Sequence, residues 1–172
     1  MIIIEIKLVS IYFIVLSTFK ISIRKGVLIM LVRNCAGGVV FLGDRVFLLK
    51  NEKDEWVLPK GVIKNGDYPD EVAVRRVKEE AGINAEIITP AGNTNYEFFS
   101  VTRQRPVCNK ITWYIMKSLD SSYEVNKGEN FKDGAYFSIE EALQKITYSQ
   151  DKSLITVSFS KYNEARKIAP SV

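Results

Sequence analysis

The fold of this chain is decided by residues 61–83, which read GVIKNGDYPDEVAVRRVKEEAGI. A glycine-bearing loop leads to Pro69, and helix-forming residues then continue as far as Gly82. Proline is favoured in the first turn of a helix and glycine just after the last turn. The segment therefore predicts a loop followed by a helix over Pro69–Ala81.

The charged residues of this helix share one face when its positions are spaced at about 100° per residue. They are Arg75, Arg76, Glu79 and Glu80. Adjacent carboxylates on a rigid helix, beside a loop with available carbonyl oxygens, suit a hard cation such as Mg²⁺ or Mn²⁺. We expect Glu79 and Glu80 to be metal ligands, with the carbonyl of Gly61 in support and Asp67 as an outer ligand or loop anchor. The alternative is an ordinary solvated helix face.

The segment resembles the signature of the Nudix hydrolases. That signature is Gly, five residues, Glu, seven residues, then Arg-Glu-aliphatic-any-Glu-Glu-any-Gly-aliphatic. The matching positions are Gly61, Arg75, Val77, Glu79, Glu80, Gly82 and Ile83. Two positions depart from it, because Asp67 replaces the first Glu and Arg76 replaces the Glu that follows the Arg. The resemblance covers roughly residues 30–167, strongly in the signature and loosely elsewhere.

This resemblance implies an α/β/α sandwich, in which a mixed β-sheet is flanked by helices. It also implies a divalent-metal-dependent pyrophosphohydrolase that cleaves a nucleoside diphosphate linked to another moiety, by attack of water at phosphorus. Arg75, Glu79 and Glu80 are the catalytic residues that the signature suggests. The Pro59-Lys60-Gly61 stretch resembles the branch that acts on dinucleoside or diphosphoinositol polyphosphates, so a diadenosine polyphosphate is an expected substrate.

Arg76 is the departure with the largest chemical consequence. It can reach Glu79 and Glu80 at the i+3 and i+4 positions of the helix. It could compete with the metal, grip a substrate phosphate with its planar fork, or form a simple ion pair. These alternatives keep a second function open, that of a catalytically weak Nudix-fold module that binds a nucleotide or an RNA end.

Candidate substrate-binding residues lie outside the signature. Lys60 could steer a polyphosphate, although an ordinary surface lysine is an equally good interpretation. Tyr96 and Phe98 are on a predicted strand and could stack on a base, with core packing as the alternative. Glu129 is our candidate, ahead of Glu124, for the additional catalytic carboxylate that the resemblance implies, because it precedes a Tyr-Phe-Ser-Ile-Glu-Glu-Ala stretch similar to one that follows the corresponding loop.

Composition fits one domain of this kind. The 172 residues are 47% hydrophobic and 26% charged, which suits a single α/β core. Histidine is absent from the sequence, so Ser-His and Cys-His nucleophile systems and His-rich zinc sites are excluded. Cys35 and Cys108 have no metal-ligand spacing and suggest free thiols in a reducing cytoplasm. Carboxylates must therefore supply the acid, base and ligand chemistry.

Residues 1–29 differ from the rest and are expected to precede a domain at residues 30–172. They are rich in isoleucine and carry four basic residues and one acidic residue. Without them the net charge falls from +4 to +1. Because the excess positive charge thus lies outside the predicted domain, we expect no DNA binding. The apolar run over residues 8–19 is shorter than the ~20 residues of a membrane span. We favour the hypothesis that the translation start is mis-assigned and that translation begins at Met30. The competing hypotheses are a β-rich segment packed on the domain and a membrane-surface anchor.

The remaining pattern predicts strands and two further helices. The strands are predicted at residues 34–41, 45–50, 83–88, 95–102, 110–119 and 135–138. Helices are predicted at residues 139–146 and after Asp151, and an irregular acidic loop is predicted to extend to Gly134.

Overall fold

The computed structural model of the chain describes residues 29–168. The strands are β1 Leu31–Leu42, β2 Arg45–Asn51, β3 Trp56–Val57, β4 Lys60–Val62, β5 Ala85–Ser100, β6 Arg105–Ser118 and β7 Phe131–Ser138. The α-helices are α1 Pro69–Ala81, α2 Ile139–Lys145 and α3 Ser149–Ile168, and a short 3₁₀ helix spans Lys127–Glu129. The predictions for the N-terminal segment, with its boundary at residue 30, fall almost wholly outside the described residues and stay predictions.

The strands form one mixed sheet. Its order is β3-β2-β1-β6-β5, with β4 paired to β1 and β7 paired to β2. Strands β1 and β6 are parallel, and the other pairs are antiparallel. Because β4 hydrogen-bonds to β1 with Gly37 opposite Lys60, the loop before α1 starts from the centre of the sheet.

Helices cover both faces of this sheet, which confirms the predicted α/β/α sandwich. Consecutive residues of β1 point to opposite faces, so Val39 packs with the α2–α3 side of the core and Val40 packs with the α1 side. Helix α1 buries Val72, Ala73, Val77 and Ala81 completely. Burial on both faces explains why residues 35–41 of β1 form a continuous apolar run.

Helix α1 spans the residues that its sequence predicted, since its signals are local. Pro69 lies in its first turn, and Gly82 ends it in the left-handed conformation with φ of 71°, which glycine adopts without steric cost. Gly82 also has no room for a side chain, because a Cβ there would lie 2.7 Å from the backbone nitrogen of Glu124.

Several strand predictions were wrong in their boundaries. The strands predicted at residues 83–88 and 95–102 are the single strand β5, whose pairing with β6 shifts register around Ile87 and between Pro90 and Gly92. These irregularities absorb a proline and a glycine that look like strand breakers in the sequence. The pairing also extends β6 back to Arg105, five residues before the predicted start.

The acidic loop is also shorter than predicted. Strand β7 already begins at Phe131, opposite Asn51 of β2. Gly134 lies within this strand, and a Cβ there would come within 2.8 Å of side-chain atoms of Phe47 and Val125. Glycine was therefore required by close packing and not by a turn.

Within residues 29–168, the helices are too short or too polar to cross a membrane.

Candidate active site

The guanidinium of Arg76 lies among three carboxylates. Its Nη1 donates to Glu79 Oε2 at 2.9 Å, and its Nη2 donates to Glu80 Oε1 at 2.5 Å and to Glu129 Oε2 at 3.0 Å. Its Nε donates to Glu80 Oε1 at 3.2 Å. Charge-assisted hydrogen bonds of this kind are short and strong. Arg76 thus joins the three glutamates that were predicted to carry the chemistry.

Glu80 is the buried member of this cluster. Its side chain is 4% exposed, against 43% for Glu79 and 42% for Glu129. Oε2 of Glu80 accepts a hydrogen bond from the backbone nitrogen of Lys60 at 3.1 Å. Burial raises the pKa of Glu80, while the charges of Arg76 and Lys60 oppose this effect. Glu80 therefore connects α1 to β4 as well as pairing with Arg76.

Arg76 keeps its positive charge in this environment. Burial by itself acts to lower the pKa of Arg76, but the ion pairs with Glu129 and Glu80 outweigh it, so the pKa is raised. Because the side chain is only 20% exposed, the surrounding protein screens these pairs less than water would.

Gly61 makes room for the Arg76 side chain. A Cβ built on Gly61 would lie 2.5 Å from Cδ and 2.6 Å from Cγ and Nε of Arg76. The aliphatic stem of the arginine therefore lies directly against the backbone at Gly61, the position that was predicted to offer a carbonyl to a metal. That ligand role stays a prediction.

Arg75 contacts a different acid. Its Nη2 donates to Asp67 Oδ2 at 2.7 Å, and its Nε is 3.9 Å from Glu79 Oε1. The hydrogen bond from Arg75 holds the pKa of Asp67 below its usual range. This pair fastens the loop before α1 to the helix. Asp67 thus pairs with Arg75, whereas the acids that pair with Arg76 are Glu79, Glu80 and Glu129.

Asn126 positions the loop that carries Glu129, although it was not among the residues predicted from the sequence. Its backbone nitrogen donates to Glu80 O at 3.0 Å, and its Nδ2 donates to Glu79 O at 3.1 Å. Its Oδ1 accepts from Gly128 N at 2.9 Å and caps the 3₁₀ helix that contains Glu129. The Asn-Lys-Gly order at residues 126–128 is a turn signal that could have identified it.

A cleft of about 510 Å³ adjoins the cluster. Of the predicted site residues, it is lined by Lys60, Glu80, Tyr96, Phe98 and Glu129. These residues come from β4, α1, β5 and the 3₁₀ helix, so the tertiary structure brings them to one place. The cleft therefore has both carboxylates and aromatic rings in its lining, and the two together could accommodate a charged group joined to a planar one.

Aromatic side chains form one wall of the cleft. The rings of Tyr96 and Phe98 are 5.8 Å apart with 27° between their planes, and those of Tyr96 and Tyr148 are 6.0 Å apart with 15° between them. The hydroxyl of Tyr96 accepts a hydrogen bond from Asn109 Nδ2 at 2.7 Å. Trp113, by contrast, is buried in the core and donates to Thr94 Oγ1 at 2.7 Å.

Tyr148 was not identified from the sequence. It lies between α2 and α3, outside any periodic pattern that would assign it to a face. Burial raises its pKa to about 12, and the neighbouring Glu55 carboxylate adds to the effect. Tyr148 therefore stays a neutral phenol at physiological pH.

The residues of the cluster suit a hard divalent cation in type but not in arrangement. Carboxylate oxygens are the ligands that Mg²⁺ and Mn²⁺ prefer. However, the guanidinium of Arg76 already pairs with one oxygen of each of the three glutamates. Within residues 29–168, no group of three or more acidic or Cys side chains is arranged to hold a metal ion.

Comparisons with known proteins show the family and the fold of this chain. Residues 23–157 match the family model described as the NUDIX domain. A Mycobacterium tuberculosis protein with the provisional name mutator protein MutT4 is 27% identical over 67% of this chain, which spans 46% of that protein's length. Mouse bis(5'-nucleosyl)-tetraphosphatase (asymmetrical) is 27% identical over 63% of this chain and 75% of its own length. A Caenorhabditis elegans Ap4A hydrolase in a binary complex has a similar fold, with a TM-score of 0.58 at 20% identity over 77% of this chain and 98% of that one.

Proposed function

Because this chain belongs to the Nudix family, whose hydrolases act on phosphoric anhydrides, we propose that it is a pyrophosphohydrolase of nucleotides. Its substrate would be a nucleoside diphosphate linked to another moiety, with a dinucleoside polyphosphate such as diadenosine tetraphosphate as the first candidate. The observation that carries this proposal is the cleft, in which Glu80 and Glu129 lie in the same cavity as Tyr96 and Phe98. The similarity to the mouse tetraphosphatase supports the choice of substrate.

We assign the lining residues of the cleft to two roles, contact with phosphate and contact with the base. Lys60 brings a positive charge beside the carboxylate cluster and would contact the polyphosphate. Tyr96, Phe98 and Tyr148 present aromatic rings that would stack on a nucleobase, an interaction that does not depend on which base is present. The substrate would therefore lie along the cleft with its anhydride near Glu129.

Hydrolysis requires an acceptor for the proton of the attacking water. As the new bond from the water oxygen to phosphorus forms, the anhydride P–O bond breaks and its electrons stay on the leaving phosphate oxygen. We assign the proton to Glu129, because it is far more exposed than Glu80 and lines the cleft. Arg75 would act indirectly, by holding the loop before α1 through Asp67.

Nudix hydrolases generally use divalent metals, and Mg²⁺ or Mn²⁺ is the cofactor that we propose, with Glu79 and Glu80 as its principal ligands and Gly61 and Asp67 in secondary roles. Such an ion would neutralise charge on the polyphosphate when bound. A cytoplasmic location is also a proposal, and it is consistent with the free, buried thiols of Cys35 and Cys108.

A substrate screen tests the proposed function. Diadenosine tetraphosphate, ADP-ribose, NADH and nucleoside triphosphates would each be incubated with the full chain in Mg²⁺, in Mn²⁺ and in EDTA, and the products separated by chromatography. We expect AMP and ATP from diadenosine tetraphosphate in the presence of metal. The Glu129→Gln variant, which removes the proposed base, should lose at least ~10²-fold in kcat, whereas Glu71→Gln, which changes an exposed glutamate in the first turn of α1, should keep the wild-type rate. Absence of turnover on every substrate would contradict the proposal.

A second candidate is favoured by the state of Arg76. A module that binds a nucleotide or an RNA end without cleaving it would retain the cleft while its carboxylates stay paired with arginine. Isothermal titration with the same nucleotides and with a 5'-triphosphorylated RNA distinguishes this candidate, because it predicts binding without product formation.

A further inference from the structure

The three carboxylates that suit a divalent ion already have a cation within the chain. Glu79, Glu80 and Glu129 each place one oxygen within 3.0 Å of a terminal nitrogen of Arg76. Glu79 and Glu80 are consecutive residues one turn after Arg76 in α1, whereas Glu129 lies on the 3₁₀ helix, 53 positions after Arg76 in the sequence. Their convergence on one guanidinium makes Arg76 the shared counter-ion of the cluster.

Arg76 is also fixed sterically. Its stem fills the space left by the missing side chain of Gly61, and its Nε, Nη1 and Nη2 all donate to carboxylates. An ion that takes the same carboxylate oxygens must therefore take the place of the guanidinium.

The charges of the cluster still favour such an exchange. One guanidinium against three carboxylates leaves two negative charges that Arg76 does not neutralise, and a dication would neutralise them more fully. Lys60 and Arg75 are near Glu80 and Glu79, respectively, and reduce this excess. The exchange is thus a competition between two cations for the same oxygens.

We propose that Arg76 is the resident cation of this cluster and that a divalent ion binds there only by displacing it. The choice of a divalent ion as competitor rests on the proposed function. The displaced guanidinium would remain beside the cleft that Glu80 and Glu129 line, where it can form a bidentate contact with a substrate phosphate.

Measurement of Mn²⁺ binding to the full chain, by electron paramagnetic resonance and isothermal titration, tests this proposal. Arg76→Gln removes the competing charge and should bind Mn²⁺ roughly tenfold more tightly or better, as expected for a unit charge within a few ångströms of the ion. Arg76→Lys keeps the charge and should stay within roughly threefold of the wild type. Lys78→Gln is the matched control, since it removes one charge from the same helix while, within residues 29–168, its Nζ donates a hydrogen bond only to Gly82 O.

Thermal unfolding provides a second readout. Arg76→Gln should unfold at a lower temperature than the wild type in EDTA, because it leaves three carboxylates without their counter-ion, and it should recover when Mn²⁺ is added. The wild type should respond much less to the same Mn²⁺ concentration. Arg76→Met, which retains an unbranched apolar stem, provides the same comparison if the glutamine variant does not fold.

An Mn²⁺ affinity in Arg76→Gln or Arg76→Met that equals or falls below that of the wild type would overturn the proposal. Because the readout is ion binding and not turnover, a wild-type protein that hydrolyses nothing would contradict the proposed function and leave this inference intact. Conversely, an active enzyme whose Mn²⁺ affinity does not depend on Arg76 would keep the function and exclude the displacement.

Discussion

Gly61 and Arg76 are packed so closely that the arginine stem occupies the space that a side chain on residue 61 would need. The 2.5 Å between a Cβ placed on Gly61 and Cδ of Arg76 is far shorter than a normal carbon–carbon contact. Glycine at this position therefore allows the arginine stem to lie against β4 while its guanidinium contacts Glu80 and Glu129. Arg76, which departs from the Nudix signature, thus depends for its packing on Gly61, which matches the signature.

The first prediction follows from this contact. Gly61→Ala should lower the free energy of unfolding by about 1–3 kcal/mol, the usual cost of overpacking, because the arginine must shift away from its carboxylates. In an Arg76→Ala background, the same change should cost less than about 0.5 kcal/mol. Denaturant unfolding of the four proteins measures both values. An equal cost in the two backgrounds would show that the strain does not involve Arg76.

The second prediction concerns the buried carboxylate. Glu80→Gln should destabilise the fold by about 1–3 kcal/mol, because it weakens the bonds to Arg76 and to the backbone of Lys60 in a site that water hardly reaches. Glu71→Gln, on the exposed first turn of the same helix, should change the stability by less than about 0.5 kcal/mol. Urea denaturation monitored by circular dichroism gives both numbers, and similar values for the two variants would exclude a structural role for Glu80.

The third prediction compares two adjacent phenylalanines of β5. Phe98 lines the cleft and is 40% exposed, whereas Phe99 is 57% exposed and is absent from the cleft lining. Phe98→Ala should weaken nucleotide binding by roughly 5- to 50-fold, the usual effect of losing one stacking ring. Phe99→Ala should leave the Kd unchanged. Titration with a non-hydrolysable dinucleoside polyphosphate measures both, and equal affinities would remove Phe98 from the binding site.

The fourth prediction is a pH dependence that arises at Asp151. Burial in the first turn of α3 raises the pKa of Asp151 above its ordinary value of 3.8, and the Lys60 charge opposes this only in part. Between the unfolded and folded pKa values the folded state binds more protons, so this group lowers the stability as the pH rises through that window.

Asp151→Asn should therefore be more stable than the wild type at pH 7, and the difference should shrink towards zero as the pH falls below the folded pKa. Unfolding measured from pH 3.5 to 7 checks this trend. Asp70→Asn, at an exposed aspartate in the first turn of α1, is the control and should show no such gain. A gain for Asp151→Asn that does not vary with pH would point to a cause other than ionisation.

Local signals made α1 and its charged face predictable. Proline at its start, glycine at its end and an apolar stripe at helical spacing all act within a few residues, and these bounds were confirmed. The same spacing placed Arg76 within reach of Glu79 and Glu80, and the ion pairs are present. The strand β5 was predicted less well, because its pairing with β6 carries the chain through a proline and a glycine that interrupt the local pattern.

The sequence by itself determined the charged helix, whose signals depend on spacing along a single element, and its resemblance to the Nudix signature implied the fold class and the candidate residues. Only the tertiary structure decided that Glu129 completes the contacts of Arg76, that Asn126 holds its loop, and that Tyr148 joins Tyr96 in the cleft. Such contacts join residues that lie far apart in the chain. They produce no periodic pattern in the sequence, because they depend on how the helices and loops pack around the sheet.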